Sequence, residues 1–503
     1  MKSQKNIKNL MIIATAFLIL SAGCKKEFFD INDNPNSPVT IKISEALPTA
    51  ELAIGQALGN DLKVGSGFWA QYWTQNPTAN QYRQYDFYNI TTENQRAAWI
   101  LLYSDALTDL NYVIQHATEE QKPNYVAVAT ILKAYNFQIL TDAYGDIPFS
   151  EAGRGEEGIL SPKYDSQKDV YNGIINLLKD GISKIDLNSD VTPGTDDFIY
   201  GGDMHEWLKF ANTALLRVYL RLSNVDPAKA QSGINELTNA NAEFLGDGET
   251  ARIKYYSTGG NTNPLYSQYV GLGRTRNLVA ALTSIDAYTA NNDGRRNVFY
   301  TNTSGVVRPT GNFVGVPNGS SAGVSSVSYP GDITGGSPND SSAFAPVVLM
   351  SDFESSFLQA EAMEKGWMAG TAEDLYKKGI TQSFIYLDQA YPAMGLGNKY
   401  TAYIAQAEVN YSTQADKLEA IYFQKWYAMN GLQNFESWTD GRRTGYIEKN
   451  MGATAADNKF FTRSLSASST PLPARMLYPS TEVTRNVNFP GQRLLSDKVW
   501  WAK

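Results

Sequence analysis

The stretch WILLYSDALTDL, residues 99–110, decides the fold of this 503-residue chain. Its apolar side chains recur every three or four positions, which is the spacing of one face of an α-helix. They are Trp99, Leu102, Tyr103, Ala106, Leu107 and Leu110. Thr92 and Gln95 stand three residues apart just before this stripe, as in a capping box. The sequence therefore predicts an amphipathic helix.

A second helix is predicted directly after the first. Pro123 suits a first helical turn, and Gly145-Asp146-Ile147-Pro148 provides a stop signal. Between them lies another apolar stripe, made of Tyr125, Val128, Leu132, Tyr135 and Ile139. Because the break between the two stripes is short, we expect an antiparallel helix pair near residues 99–141.

The same pattern recurs near residues 170–222 and 353–387. The last pair spans about 37 residues, close to the tetratricopeptide period of about 34. We therefore expect a mostly α fold, in which a tetratricopeptide-like helix-pair scaffold carries long irregular loop insertions. The main insertions are expected at 240–275 and 291–350. Residues 301–345 hold 8 glycines, 9 serines and no lysine, which predicts a segment that is mobile or held only by a partner.

The N-terminus has the order of a lipoprotein signal. Lys2, Lys5 and Lys8 precede an apolar run from Leu10 to Leu20, and Ser21-Ala22-Gly23 leads into Cys24. We predict a cleaved signal peptide at 1–23, lipidation of Cys24, and a turn-rich tether at 24–40 before a single α domain at 41–503. Lys25 follows Cys24 where inner-membrane retention would need aspartate, and Lys25-Lys26-Glu27 resembles the export tags of surface lipoproteins. The expected location is the cell-surface face of the outer membrane.

Charge excludes one class of partner. The formal charge of -8 includes the three lysines of the predicted signal peptide, so the mature chain is more acidic still. A nucleic-acid partner is not expected, because phosphate backbones require basic surfaces. With Cys24 acylated, no thiol is left for a disulfide. No other apolar run approaches the length of a membrane span, so membrane contact is expected through the lipid anchor alone.

The residues for catalysis or metal binding are scarce. The chain has two histidines, His116 and His205, and both fall in or beside helical stripes. Neither a histidine metal site nor a Ser-His-Asp triad has obvious material. Adjacent acidic pairs such as Glu156-Glu157 are more typical of solvated charge than of a glycosidase dyad. We therefore expect no catalytic residue, no metal site and no cofactor, with a surface hydrolase as the weaker alternative.

An aromatic segment between Phe68 and Tyr88 is the candidate binding region. Aromatic rings stack on the apolar faces of sugars, while amide and guanidinium groups pair with their hydroxyls. The predicted ligand-binding residues are Trp73, Tyr82, Arg83, Tyr85 and Tyr88. For Trp69, Tyr72 and Trp73 the spacing is helical, and packing in the core explains them at least as well. The segment favours a glycan ligand, with peptides or other nutrients as the alternative.

Several strings spread along the chain resemble the SusD/RagB family of nutrient-binding outer-membrane lipoproteins, in its SusD-like branch. The strings include Asp30-Ile31-Asn32-Asp33-Asn34-Pro35, Leu140-Thr141-Asp142-Ala143-Tyr144-Gly145-Asp146-Ile147-Pro148-Phe149, Phe357-Leu358-Gln359-Ala360-Glu361-Ala362, Glu436-Ser437-Trp438, Arg442-Arg443-Thr444-Gly445-Tyr446 and Pro473-Ala474-Arg475-Met476-Leu477-Tyr478-Pro479. One departure is Asn292-Asp293-Gly294-Arg295-Arg296, where relatives commonly have Asp-Pro-Arg.

The resemblance implies a helical lid on a SusC-type TonB-dependent outer-membrane transporter. It implies that ligand is caught on loops between lid and barrel, without catalysis, and is then imported. The family has no shared ligand-binding motif that could be transferred to this chain. Arg442 and Arg443, beside Glu436 and Asp440, are expected to tie helix ends together rather than to bind ligand.

Overall fold

A computed structural model describes residues 41–256, 260–269, 271, 273, 276–307, 310–452, 460–467 and 470–503. The predicted signal peptide, Cys24 and the tether lie outside the described residues. About 53% of the chain is helical, and the few strands are short, which confirms the prediction of a mostly α fold. Residues Ile43–Lys503 form one unit of packing.

The helices account for most of the described chain. In order, the first are α1 (Ile43–Gly59), α2 (Asp61–Trp69), α3 (Arg83–Asp86), α4 (Arg96–Ile100), α5 (Thr108–Glu119), α6 (Pro123–Tyr144), α7 (Gln167–Lys184), α8 (Met204–Arg221), α9 (Pro227–Asn239) and α10 (Pro264–Tyr269). They continue with α11 (Leu282–Ala290), α12 (Arg296–Phe299), α13 (Asp352–Glu364), α14 (Ala372–Ala390), α15 (Tyr400–Ile404), α16 (Lys417–Met429), α17 (Asn434–Thr444), α18 (Tyr446–Lys449) and α19 (Ser480–Arg485). Single turns of 3₁₀-helix lie between several of them.

Residues 99–110 are helical throughout. A π-helical segment, Leu101–Leu107, joins α4 to α5, and the predicted apolar stripe faces the core. The wider π turn leaves the carbonyl of Leu102 to accept a 3.0 Å hydrogen bond from the Asn136 side chain on α6. The predicted capping box does not form, because Gln95 donates its side-chain amide to the hydroxyl of Tyr85 instead.

Helices that are adjacent in the chain pack against each other in pairs. The helix from Arg96 to Glu119 packs on α6, α8 packs on α7, and α14 packs on α13. The pairs also stack on one another, since α6 lies against α7 and α13 lies against α8. Glycines allow the closest contacts: a Cβ at Gly181 on α7 would lie 2.6 Å from the Ile131 side chain on α6. Helix α6 is buried on nearly every side and forms the centre of this layer.

Among the described residues, eight short strands form four two-stranded sheets. They are β1 (Trp73–Gln75), β2 (Ile147–Pro148), β3 (Tyr164–Asp165), β4 (Ala251–Ile253), β5 (Leu278–Ala280), β6 (Val347–Met350), β7 (Met451–Gly452) and β8 (Phe461–Thr462). The pairs β1–β5, β2–β3 and β4–β6 are antiparallel, and β7–β8 is parallel. The β1–β5 pair matters most here, because its register sets Gln75 opposite Leu278 and so joins the aromatic segment to the loop insertions.

The segment 301–345 is not the loose insertion that its composition predicts. Val316 and Ser328 exchange backbone hydrogen bonds with Ala280 on β5, and Val316 is fully buried beside Val279. Small residues make this close packing possible: a Cβ at Gly331 would lie 2.0 Å from the carbonyl oxygen of Val298. The parts of the segment around Val316, Ser328 and Gly331 are therefore held by contacts within the chain itself, which corrects the expectation that only a partner would hold the segment.

The charged strings near the C-terminus connect helices, as predicted. Arg443 on α17 pairs with Glu361 on α13, and Arg442 donates to the backbone carbonyls of Asp142 and Ala474. Arg221 on α8 donates two hydrogen bonds to Glu436. All of these side chains are buried, so the prediction that they tie the helices together is confirmed.

Candidate functional site

The aromatic segment begins inside the core. Trp69 ends α2 with its ring 4.9 Å from the ring of Trp438, and the ring of Tyr72 lies 4.8 Å from that of Trp426. Trp73, the first residue of β1, is also fully buried. Its predicted contact with ligand does not fit this position, because no face of the indole ring is accessible. Core packing is the better account of all three.

Tyr85 and Tyr88 are also buried, and their side chains support the segment instead of contacting a ligand. Tyr85 on α3 is 3% exposed, lies against Phe68 and Trp69, and accepts a 3.0 Å hydrogen bond from Gln95. Burial raises the pKa of its hydroxyl, so this group stays neutral. Tyr88 is 9% exposed, in a left-handed conformation with φ of 51°. Direct stacking on a sugar does not fit either ring in this structure.

Asp86, between these two tyrosines, fixes the turn. Its carboxylate accepts hydrogen bonds from the hydroxyl of Thr74 at 2.9 Å and from the backbone N–H of Gln75 at 3.1 Å. Burial raises the pKa of Asp86 to about 7, although these hydrogen bonds oppose the shift. The segment is therefore anchored to β1 by a buried carboxylate.

The accessible side of the segment holds Tyr82 and Arg83, both half-buried. The Tyr82 ring packs edge-on against Phe68, with the centroids 6.3 Å apart, and its backbone N–H donates to the Gln75 side chain at 2.7 Å. Arg83 donates from Nη2 to the carbonyl of Pro77 at 2.8 Å. Both side chains are thus oriented by the loop that precedes them.

Two residues from a distant part of the chain complete this surface. The guanidinium of Arg276 lies 5.3 Å from the centre of the Tyr329 ring. Asn277, next to Arg276, donates to the side chain of Gln81 at 2.9 Å and accepts from its backbone N–H at 3.2 Å. We refer to Tyr82, Arg83, Arg276 and Tyr329 as the Tyr82 surface. Sequence reasoning missed Arg276 and Tyr329, because both are distant in the chain: β1–β5 pairing brings Arg276 to Asn76, 200 positions away, and Tyr329 follows Ser328, whose carbonyl accepts from Ala280 on β5.

The Tyr82 surface combines aromatic faces with fixed donors and acceptors. Tyrosine rings offer apolar faces, and the two guanidinium groups and the neighbouring amides offer hydrogen bonds to hydroxyl groups. Nothing on it supplies a nucleophile activated by a base. Its chemistry suits binding and orientation of a hydroxyl-rich ligand.

Several acidic and histidine side chains outside this surface have structural partners. Asp197 accepts hydrogen bonds from the Trp207 indole at 2.7 Å and from the backbone of Gly202 at 2.8 Å. Glu157 pairs with Arg154 on the surface, and His116 lies 3.3 Å from Glu119 on the same helix. Within the described ranges, no three His, Cys, Asp or Glu side chains converge as metal ligands would.

Over the residues that the structure covers, no helix has both the length and the apolar character of a membrane span.

Comparison with known proteins agrees with this architecture. The model of the SusD-like family, described as starch-binding and associating with the outer membrane, matches residues 35–479. No curated protein sequence matched the chain. Among solved structures, a chitin-binding protein is similar at 24% identity and a TM-score of 0.73, over 92% of this chain and 100% of that one.

Two further structures share the fold. A SusD homologue from Bacteroides uniformis is 25% identical with a TM-score of 0.70, and the match covers 91% of this chain and 99% of that one. A chitin-binding SusD homologue from Flavobacterium johnsoniae is 21% identical with a TM-score of 0.71, over 91% and 98% of the two chains. The tetratricopeptide-like helical fold of such proteins is the fold found here. Since the family model covers most of the sequence, the chain belongs to the SusD-like family of outer-membrane-associated proteins.

Proposed function

We propose that this protein is a surface-exposed lipoprotein of the outer membrane that captures a glycan on the Tyr82 surface and delivers it to a SusC-type TonB-dependent transporter. The observation that carries the proposal is the surface itself. Tyr82 and Arg83 follow Gln81, which is hydrogen-bonded to Asn277, and the neighbouring Arg276 lies over the ring of Tyr329. Tyr82 itself packs on the buried ring of Phe68. Prearranged rings of this kind bind sugars without a large loss of side-chain entropy.

Family membership supports a binding role. The family is described as starch-binding, and two of the similar structures are described as chitin-binding. None of these descriptions names a catalytic activity. We infer that the protein presents glycan to a partner and leaves glycosidic bonds intact.

The first experiment is affinity electrophoresis of the mature protein through gels that contain plant, host or microbial polysaccharides. Retardation in one gel is the expected result, and it would identify the class of glycan. Tyr82→Ala and Tyr329→Ala should each reduce the retardation. Tyr256→Ala is the matched control, because Tyr256 is also an exposed tyrosine, at 60%, but lies outside the Tyr82 surface. Equal retardation of all three variants would reject the surface as the glycan site.

Anchoring and delivery need separate tests. Cys24→Ser should release the protein from the outer-membrane fraction and abolish incorporation of a labelled fatty acid. The unaltered protein should copurify with a TonB-dependent barrel after mild detergent extraction, and the Tyr82→Ala variant should do so equally well. Release of reducing ends from a retarded polysaccharide would contradict the proposed binding role and favour a hydrolase.

A further inference from the structure

A cleft lies at the turn Asn292-Asp293-Gly294-Arg295-Arg296. The cleft has a volume of about 530 Å³ and is bordered by the end of α11, by α12 and by α15. Small-molecule sites commonly have volumes of about 300 to 1,000 Å³. We refer to it as the Arg296 cleft. None of the residues of the Tyr82 surface lines it.

The walls of the Arg296 cleft carry a net positive charge. Arg296 and Lys399 line it, and Asp293 is the one acid among its described lining residues. Both oxygens of Asp293 accept hydrogen bonds from the buried guanidinium of Arg295, at distances from 2.6 to 3.1 Å. This internal ion pair neutralises the acid, so the charges of Arg296 and Lys399 are left to act on the cleft.

Among the described residues, neither cation, Arg296 or Lys399, has a salt-bridge partner. Arg296 instead donates to the hydroxyl of Thr289 at 2.9 Å and to the side chain of Asn297 at 3.2 Å, and it lies over the ring of Phe313. Partial burial lowers the pKa of its guanidinium. A bound anion would therefore gain more here than at a fully solvated arginine.

The remaining polar lining can form hydrogen bonds with hydroxyl groups. Phe384, Tyr403 and Tyr288 form a buried aromatic side of the cleft. Asn292, Asn297 and Gln406 add amide groups at its walls. The amides suit the hydroxyl groups of a saccharide, and the two cations select for a negative charge on it, whereas the buried rings only support the wall.

We propose that the Arg296 cleft binds a carboxylate-bearing saccharide unit, such as a uronic acid, through Arg296 and Lys399. That the ligand is an anion follows from the cleft alone, whereas that it is a saccharide rests on the proposed glycan capture. The site would let the protein prefer acidic glycans over neutral ones.

The test is a ligand-observed NMR titration of the mature protein with sodium D-glucuronate, with D-glucose and with sodium sulfate at matched ionic strength. Glucuronate should bind, and glucose should bind at least about tenfold more weakly, because it lacks the charge-assisted hydrogen bonds. Affinity for glucuronate should fall as sodium chloride is raised, since the wall charges are partly exposed.

Variants then locate the binding. Arg296→Gln should weaken glucuronate binding about tenfold, and Lys399→Gln several-fold, as expected for removal of one charged partner. Because Arg296 also contacts Thr289 and Phe313, Arg296→Lys provides a variant that keeps the charge and should retain part of the affinity. Lys168→Gln, at an exposed lysine outside the cleft, is the matched control and should bind like the unaltered protein.

Three outcomes would overturn the inference: no binding of glucuronate, equal binding of glucose, or unchanged binding in both Arg296→Gln and Lys399→Gln. Sulfate that binds as tightly as glucuronate would overturn the saccharide assignment. These failures are distinct from failure of the proposed function. A protein retarded by a neutral polysaccharide through Tyr82 but unable to bind glucuronate would keep its proposed role and lose the acidic-sugar site.

Discussion

Arg443 donates two hydrogen bonds to Glu361, of 2.7 Å from Nη1 to Oε1 and 2.6 Å from Nη2 to Oε2, and so joins α17 to α13. Arg443 also donates from Nε to Asp440 at 2.7 Å. All three side chains are almost completely buried. The pair therefore fixes the relation between two helices whose sequences alone do not indicate that they meet.

Removal of Arg443 should be strongly destabilising, because it leaves the carboxylates of Glu361 and Asp440 buried with fewer partners. We expect Arg443→Ala to lower the free energy of unfolding by about 3 to 5 kcal/mol, measured by urea denaturation. Arg154→Ala is the control, because Arg154 pairs with Glu157 on the surface and its loss should cause no measurable change. A similar small effect of both variants would contradict the role assigned to Arg443.

Asp86 should make stability depend on pH. Its pKa in the folded protein is about 7, above the value of 3.8 for the unfolded chain, so folding favours its protonated form. This contribution is fully present below pH 3.8 and is lost as the pH rises through about 7. Asp86→Asn removes the titration. The free energy of unfolding of the variant, relative to that of the unaltered protein, should rise by about 2 to 3 kcal/mol as the pH rises from 5 to 8.

The measurement for Asp86 is urea denaturation of both proteins at each pH, and the difference between them cancels other titrating groups. Asp190→Asn, at an exposed aspartate, is the matched control and should show a difference that does not vary with pH. A constant difference for Asp86→Asn as well would mean that this carboxylate is ionised throughout the range.

Lys63 should have the opposite pH dependence. It is 1% exposed on α2 and donates to the carbonyl of Thr334 at 2.7 Å, and burial lowers its pKa to about 7. Since folding favours the neutral amine, stability is lost as the pH falls from 10.5 through about 7. The free energy of unfolding of Lys63→Met, relative to that of the unaltered protein, should therefore rise by about 2 to 3 kcal/mol as the pH falls from 9 to 6.

Urea denaturation at these two pH values tests the Lys63 prediction. Lys168→Met, at an exposed lysine, is the matched control and should show no such change. A larger gain for Lys63→Met at pH 9 than at pH 6 would reverse the sign and refute the assigned burial of the amine.

The helix pairs could be predicted from sequence because each of them has one apolar face. The stripe from Trp99 to Leu110 faces the core as its spacing indicates. Helices α16 and α17 could not be predicted from the spacing of apolar residues, because their buried faces carry charged side chains. Lys425, Asp440 and Arg443 are polar by type but buried by pairing, so they interrupt any apolar pattern.

The candidate site was harder to predict, and the reason is physical. The same aromatic residue types occur at sugar sites and in protein cores. Composition therefore predicted Tyr82, Tyr85 and Tyr88 as ligand-binding residues for the same reason. Burial separates them only in three dimensions. Arg276 and Tyr329 had no local signal at all, because the β1–β5 pairing brings Arg276 to Asn76, and Tyr329 reaches Arg276 only through the contact of Ser328 with Ala280 on β5.

Tyr82 and Tyr85 should therefore differ in what their loss affects. Tyr82→Ala removes a half-buried ring from the surface and should weaken glycan retardation with little change in melting temperature. Tyr85→Ala empties a site in the core between Phe68 and Trp69, and should lower the free energy of unfolding by about 3 to 5 kcal/mol. Tyr85→Phe keeps the ring, loses the hydrogen bond from Gln95, and should be milder. Thermal unfolding and affinity electrophoresis of the three variants check this separation. If Tyr85→Ala kept its stability and lost glycan binding, the Tyr85 ring would contact ligand directly, as the sequence alone predicted.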